Sequence, residues 1–238
     1  MEAKNHYENH LSNYYSWIYG GHEENIKKNK QFFESNNISP FDSKVAIDLG
    51  AGSGFQSIPL SQLGFKVTAV DFSKKLLNEI DNKQFNIEII EDDILNFENY
   101  SNRNPELIIC MGDTLTHLAD IDSVAKLVDN SYKELITGGK IILTFRDLTF
   151  ELKGSERFIP VRNEENRIFT CFLEYSEEHI DVYDIVNERI NDEWTQKISS
   201  YKKIKISAEQ IKDILNKSGF KIDFFNKEKG MITIIGVK

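Results

Sequence analysis

An apolar run that ends near an aspartate and then breaks into alternate glycines leaves this chain few ways to fold. The stretch is Val45-Ala46-Ile47-Asp48-Leu49-Gly50-Ala51-Gly52-Ser53-Gly54-Phe55. Its opening reads as a buried strand, and Phe55 to Leu63 return to helix-compatible sequence. Strand, glycine-rich turn and helix make one half of a nucleotide-binding unit. Glycine suits the turn because it permits positive φ and lets a ligand approach the backbone where a Cβ would stand. The spacing narrows the choice further. A dinucleotide fingerprint needs glycine at i, i+2 and i+5. Counted from Gly50 that last position is Phe55, and from Gly52 it is Ser57, so both registers fail. A nicotinamide-dependent oxidoreductase is therefore disfavoured.

The chain has 238 residues, of which 40% are hydrophobic, and a mean hydropathy of −0.42. That is enough for one large α/β domain, or one domain with a sizeable insertion. No apolar run approaches the roughly 20 residues of a membrane span, and no apolar signal-peptide core follows Met1-Glu2-Ala3-Lys4. Cys110 and Cys171 lack metal-type spacing and read as reduced thiols. Together these features predict a cytoplasmic protein with no metal and no membrane contact. The net charge is −9, which argues against a nucleic-acid surface. Lys27-Lys28-Asn29-Lys30 reads as a solvated helix face.

The pattern Asp48-x-Gly50-x-Gly52-x-Gly54 resembles the first motif of the class I S-adenosylmethionine-dependent methyltransferases. The resemblance implies a three-layer α/β/α Rossmann-like fold. Its sheet would be mostly parallel and seven-stranded, with an antiparallel last strand. It also implies a loop that wraps the methionine and ribose of S-adenosylmethionine.

Later segments fall where that reading requires. Gly64 to Asp71 is a turn and a second strand, and its terminal Asp71 is placed to accept ribose hydroxyls. Ser73 can cap a helix over Lys74 to Ile80. A third strand, Asn86 to Ile90, runs into Glu91-Asp92-Asp93-Ile94. The family places an acidic side chain of that loop near the adenine amine, and Asp93 matches best. The cofactor cradle implied is Asp48, Gly50, Ala51, Gly52, Gly54, Phe55, Asp71, Phe72, Ser73, Asp92, Asp93, Ile94, Met111 and Gly112.

A fourth strand, Leu107 to Met111, breaks at Gly112-Asp113-Thr114-Leu115-Thr116-His117-Leu118, at the strand end where open α/β sheets bind ligands. Asp120 to Ser123 opens a helix reaching about Ile136, Gly138-Gly139 stops it, and Lys140 to Phe145 is a fifth strand. The segments Gly112–Asp120 and Phe145–Leu148 resemble those of the glycine N-methyltransferase group. There an asparagine stands near the substrate and an arginine binds the substrate carboxylate. Arg146 falls on that arginine, and its planar fork suits an anion. Asp113 replaces the asparagine, and a carboxylate there favours a cationic amine or a hydroxyl. Asp113, His117 and Arg146 are the candidate catalytic and acceptor-binding residues. An ion pair between Arg146 and Asp113 or Asp147 is the alternative for Arg146.

The segment from His6 to Gly21 is rich in amphipathic rings, with Leu11, Tyr14, Tyr15 and Ile18 at one helical face. A second helix is predicted over Glu23 to Ser35. The family places a lid here, which makes Tyr15, Trp17 and Tyr19 candidate acceptor contacts. Packing against the sheet edge is the alternative. His6 and His10, at i, i+4, read as surface residues. From Phe150 to Lys205 the pattern turns to antiparallel hairpins. Arg167 to Tyr175 is strand-like, His179 to Val186 alternates with period two, and Trp194 to Ile206 alternates loosely. This insertion is long enough to cap the site or to form a homodimer surface. Ser207-Ala208-Glu209-Gln210 is a capping box, and two apolar strands close the chain. The predicted organisation is one domain over 1–238. It comprises a helical lid (1–40), a cofactor core (41–147), a β-rich cap (148–205) and a completing segment (206–238).

The expected function is methyl transfer from S-adenosylmethionine to a small amine, amino-acid-like or hydroxylated-acid acceptor. Two alternatives stay open: a non-catalytic S-adenosylmethionine-binding sensor or scaffold, and a methyltransferase acting on a macromolecule. The acidic charge disfavours the last.

Overall fold

A computed structural model describes residues 2–81, 84–96, 99–100 and 103–238. The chain opens with α1 (Glu2–Asn9), a 3-10 turn (Leu11–Asn13), α2 (Tyr15–Ile18) and α3 (His22–Ser35). The cofactor half follows: β1 (Val45–Leu49), α4 (Ser57–Gln62), β2 (Lys66–Asp71), α5 (Lys74–Leu77), β3 (Ile87–Glu91) and β4 (Leu107–Cys110). Then come α6 (Ile121–Glu134) and β5 (Lys140–Arg146). The insertion is β6 (Phe158–Glu164), β7 (Arg167–Tyr175), β8 (His179–Ile190) and β9 (Glu193–Ile204). The chain closes with α7 (Ala208–Ser218), β10 (Lys221–Glu228) and β11 (Met231–Val237).

The large sheet has the order β10-β11-β5-β4-β1-β2-β3. Its β1 to β5 run parallel, and β11 is antiparallel to both β5 and β10. The chain leaves β3 and restarts on the far side of β1, so the strand order reverses beside β1 and β4. A crevice opens at the C-terminal ends of strands at such a point. The fold is the mostly parallel three-layer arrangement the sequence implied.

Local chemistry sets the elements. β1, β4 and β5 are nearly continuous apolar runs, as strands covered on both faces must be, whereas the edge strand β3 exposes Glu88 and Glu91. α6 buries Val124, Leu127, Val128 and Ser131, an i, i+3, i+4, i+7 stripe, against one face of the sheet. Each fully buried aliphatic side chain there is worth roughly 1.5–3 kcal/mol. The Asp120 carboxylate caps the helix by accepting from the Ser123 amide at 2.7 Å. The capping box is present at α7, where the Ser207 hydroxyl accepts from the Gln210 amide and the Gln210 side chain accepts from the Ser207 amide. On the other face of the sheet, Phe33 of α3 and Ile58 and Leu60 of α4 pack over Ala46, Val67 and Ile109.

The insertion forms its own antiparallel sheet, β6-β7-β8-β9. Its period-two reading holds over β8, where Ile180, Val182, Asp184 and Val186 are all buried. The strand β6 was not legible because Pro160 interrupts its pattern. It lies at the sheet edge, where a missing N–H costs no ladder bond. α5 also stops at Leu77, short of Ile80.

The helix expected through Leu11–Ile18 breaks into a 3-10 turn and a single α-turn. The apolar residues there serve two surfaces. Leu11 and Tyr14 pack with Phe169 and Val186 of the insertion, whereas Tyr15 turns to stack on Phe55 of the glycine loop at 5.6 Å. One straight helix cannot present adjacent residues to both.

His6 and His10 are not surface residues. His6 is 2% exposed and His10 8%. The inner face of β8 carries Asp184 among its apolar neighbours, and a buried carboxylate needs partners. α1 lies over that face, so His6 Nε2 meets Asp184 Oδ2 at 3.0 Å and His6 Nδ1 meets the Ser199 hydroxyl at 2.7 Å.

Candidate active site

The glycine loop crosses the C-terminal end of β1 and is pinned to β2. The Gly50 and Ala51 amides donate to the Val70 carbonyl at 2.8 and 3.0 Å. Asp71, at the end of β2, accepts from the Gly52 amide at 2.9 Å through one oxygen and from the Ser73 amide at 2.7 Å through the other. Asp71 thus joins the loop to the start of α5, where Ser73 is the N-cap. Burial pushes its carboxyl up, and the Ser73 and Gly52 amides oppose that shift.

Asp48 lies deeper. It is 1% exposed and accepts from the Ser57 hydroxyl at 2.6 Å, which braces the start of α4. Burial pushes its carboxyl up to about 7.

The glycines are fixed by the protein's own neighbours as well as by backbone geometry. Gly50 has φ 81°, and a Cβ there would collide with the Thr114 side chain. At Gly52, φ 51°, a Cβ would lie 3.3 Å from the Tyr15 hydroxyl. Tyr15, Phe55, Tyr19 and His22 form one ring cluster over the loop, and His22 Nε2 bonds the Ser53 carbonyl at 2.8 Å. The N-terminal segment is therefore seated on the loop.

The other sequence-predicted cofactor positions surround this cradle. Phe72 meets the Tyr7 ring at 5.6 Å. Asp92 is committed to its own loop: it accepts from Asn96 at 2.8 Å, from Asn99 and from the Asp93 amide. Asp93 is exposed, and its carboxylate accepts only from the Leu95 amide, at 2.9 Å, among the described residues. Ile94 and Met111 are buried. Gly112 is exposed, with open space where a Cβ would stand.

The turn after β4 carries two successive left-handed residues, Gly112 at φ 71° and Asp113 at φ 77°. Aspartate tolerates that region better than most side chains. The turn is held by β5: the Gly112 amide donates to the Thr144 hydroxyl at 2.8 Å, and the Asp113 amide donates to the Thr144 carbonyl at 3.1 Å. One oxygen of Asp113 accepts from the Arg146 amide at 2.8 Å, and the other meets Lys203 Nζ at 2.5 Å. Burial would raise the Asp113 carboxyl, but the Lys203 ammonium and the two hydrogen bonds hold it below the usual range.

His117 is neutral near pH 7. Burial, reinforced by the Lys203 charge, lowers its imidazole to about 3. Its Nε2 shares a hydrogen bond with the Tyr7 hydroxyl at 3.2 Å, and its ring stacks on Tyr201 at 5.2 Å. Its Nδ1 is buried without a hydrogen-bond partner among the described residues. A buried orphan of this kind costs about 1–3 kcal/mol, which a polar group of a bound molecule can recover.

Arg146 is exposed and pairs with neither Asp113 nor Asp147. Lys203 holds the first and Lys227 the second. The Arg146 guanidinium stands close enough to Tyr19 to oppose the rise that burial produces in its phenol.

Asp113, His117 and Arg146 therefore gather at the ends of β4 and β5, with Tyr15 and Tyr19 over the adjoining loop. Trp17 does not join them. It packs with Leu11, Tyr14, Phe169 and Val186 and lies under the guanidinium groups of Arg162 and Arg167.

Three residues at this site were not assigned to it by sequence, Tyr7, Tyr201 and Lys203, and His6 behind them was read as a surface residue. Alternation along β9 could have placed Tyr201 and Lys203 on one face. Their partners across the ladder, Val182 and Ile180, are both buried. Nothing in the sequence indicated that this face meets the turn after β4.

The cradle fits S-adenosylmethionine by its donor set. It offers a strand-end carboxylate with lone pairs to spare, exposed loop backbone at Gly112, and apolar walls from Ile94 and Met111. Among the described residues no helix is long and apolar enough to cross a membrane, and no cluster has metal-holding composition.

Residues 46–139 match the family described as "Methyltransferase domain". A glycine/sarcosine N-methyltransferase of Aphanothece halophytica is 28% identical over 109 residues, 44% of this chain and 41% of that protein. The chain thus spans less than half the length of that curated relative.

Among solved structures, an S-adenosylmethionine-dependent methyltransferase from Clostridium acetobutylicum superposes with a TM-score of 0.73 at 20% identity, covering 89% of this chain and 91% of that one. An amino pentose methyltransferase from Micromonospora echinaspora gives 0.72 at 11%, covering 91% and 90%. At such identities the likeness is one of fold. Joined to the glycine loop and the sheet order, it means that the chain has the class I methyltransferase fold and that its residues 46–139 match the methyltransferase-domain family.

Proposed function

We propose that the chain transfers the methyl group of S-adenosylmethionine to a small-molecule acceptor. The observation that carries this reading is a second polar cluster beside the cofactor cradle, in which Asp113, His117 and Lys203 are largely enclosed and Arg146 stands exposed at their edge. A sensor that only holds the cofactor needs no such cluster.

When bound, S-adenosylmethionine supplies an electrophilic methyl on a sulfonium, whose charge is lost on transfer. The protein's part is then mainly positioning and the exclusion of water. In this reading Asp71 and the Gly50–Gly54 loop hold the cofactor, and Tyr15 and Tyr19 close over it. Burial keeps the Tyr15 hydroxyl protonated at working pH, so it can donate but not ionise. Arg146 anchors the acceptor. His117 stays neutral, and its free Nδ1 can accept a hydrogen bond that orients the acceptor. The relative's name, a glycine/sarcosine N-methyltransferase, is in keeping with a small amine or amino-acid-like acceptor.

Calorimetric titration tests the cofactor half. Wild type should bind S-adenosylmethionine and not NAD. Asp71→Ala should weaken binding at least about tenfold, a loss of roughly 1.4 kcal/mol. Undiminished affinity in the variant would remove Asp71 from the site. Turnover of the cofactor with a panel of small amines, amino acids and hydroxy acids tests the transfer itself.

A further inference from the structure

Asp113 is a carboxylate in the acceptor pocket, and in isolation it would attract a cation. The fold removes that option. One of its oxygens is taken by the Arg146 backbone amide, and the other by Lys203, which reaches in from β9 of the insertion. The pair is enclosed, with the Lys203 side chain 12% exposed and that of Asp113 7%. Ile180, across the ladder from Lys203, is fully buried, so this strand cannot slide to release the lysine without exposing its inner face. His117 beside the pair is neutral, and the Arg146 side chain has no acidic partner among the described residues. What faces an incoming acceptor is a satisfied ion pair and one uncompensated guanidinium.

We infer that Lys203, a residue of the insertion, determines acceptor charge: it closes Asp113 to cationic acceptors and leaves Arg146 to select an acceptor bearing an anionic group. This rests on the acceptor site placed above. Without Lys203 the pocket would hold a buried carboxylate lacking its cation, and that vacancy suits an alkylammonium. The insertion then sets specificity through a single side chain that lines the cofactor core's own turn. The choice at position 113 cannot be interpreted apart from position 203.

The test is ligand binding in the full-length protein saturated with S-adenosylhomocysteine, using two probes of equal length and opposite charge, butyrate and butylammonium. Calorimetry would be run on wild type, Lys203→Met, Lys203→Arg and the double variant Asp113→Asn/Lys203→Met. Wild type and Lys203→Arg should bind butyrate at least about tenfold more tightly than butylammonium, a difference of roughly 1.4 kcal/mol. Lys203→Met should lose that preference and gain butylammonium binding. The double variant, neutral at both positions, should regain the preference for butyrate, and it guards against misfolding of the single variant. The inference is overturned if Lys203→Met keeps the wild-type ratio, if both probes weaken equally in it, or if wild type binds neither probe. Failure of wild type to bind S-adenosylhomocysteine would instead overturn the proposed function.

Discussion

Two carboxylates at the ends of neighbouring strands, Asp48 and Asp71, carry different loads. Asp71 is the one whose oxygens face the loop amides. Asp48 is beneath the loop, tied to Ser57, and burial raises its carboxyl from 3.8 to about 7. An acid raised in the folded state contributes its full stability below the unfolded value and loses it as pH rises through the folded value. Between about pH 4 and pH 7 this site therefore costs the wild type stability. Asn at this position does not titrate and can still accept from Ser57. The melting temperature of Asp48→Asn should match wild type near pH 4 and exceed it by roughly 8–16 °C at pH 8, because the rise from 3.8 to about 7 is worth about 4 kcal/mol and each kcal/mol moves the midpoint by roughly 2–4 °C in a chain of this size. A difference that stays flat across that range would show that Asp48 ionises freely in the folded protein. The sequence made both aspartates legible as strand-end acids. It could not divide their roles, because the depth of Asp48 depends on α4 packing over it.

At the scale of elements, the glycine loop, the strand order and the capped helices could be read because their signals are local. Apolar runs, a glycine register and a Ser-x-x-Gln box each lie within a few residues. The lid and the insertion could not be read to the same depth, because each is completed by the other. His6 reads as an exposed histidine until β8 places Asp184 against it. Asp184 in turn reads as a flaw in an apolar alternation until α1 supplies His6. Asp184 also accepts from the Cys171 thiol at 3.0 Å, so it ties α1 and β7 to β8. His6→Leu should leave that carboxylate short of a partner at a cost of about 1–3 kcal/mol. Hydrogen exchange should speed about tenfold or more across α1 and the middle of β8, with β1 and β4 unaffected. Unchanged protection in α1 would mean that packing by Tyr7 and Tyr14, not the polar latch, holds the lid.

At the scale of the whole molecule, the large sheet has a core on each face, and neither depends on the lid or the insertion for most of its members. The lid and insertion share a core of their own, in which Leu11 and Tyr14 meet Phe169 and Val186. The polar ties between the two bodies include Asp113 with Lys203, Tyr7 with His117 and His22 with the Ser53 carbonyl, with Ser16–Glu79, Lys4–Glu91 and Lys75 to the Glu8 carbonyl at the more exposed edge. Regions with separate cores open with separate free energies. Deleting residues 1–21 strips the inner face of the insertion of its cover and removes the rings over the glycine loop. Each fully buried Leu or aromatic lost from that face is worth roughly 1.5–3 kcal/mol. Amide protection in β7, β8 and β9 should then collapse while β1, β2, β4 and β5 stay protected, and S-adenosylmethionine affinity should fall with the lost lid. If protection instead dropped uniformly, the lid would be part of the sheet's own folding unit. The ties at Lys203, His117 and His22 would then be read as core contacts, not as the seam between two separately packed bodies.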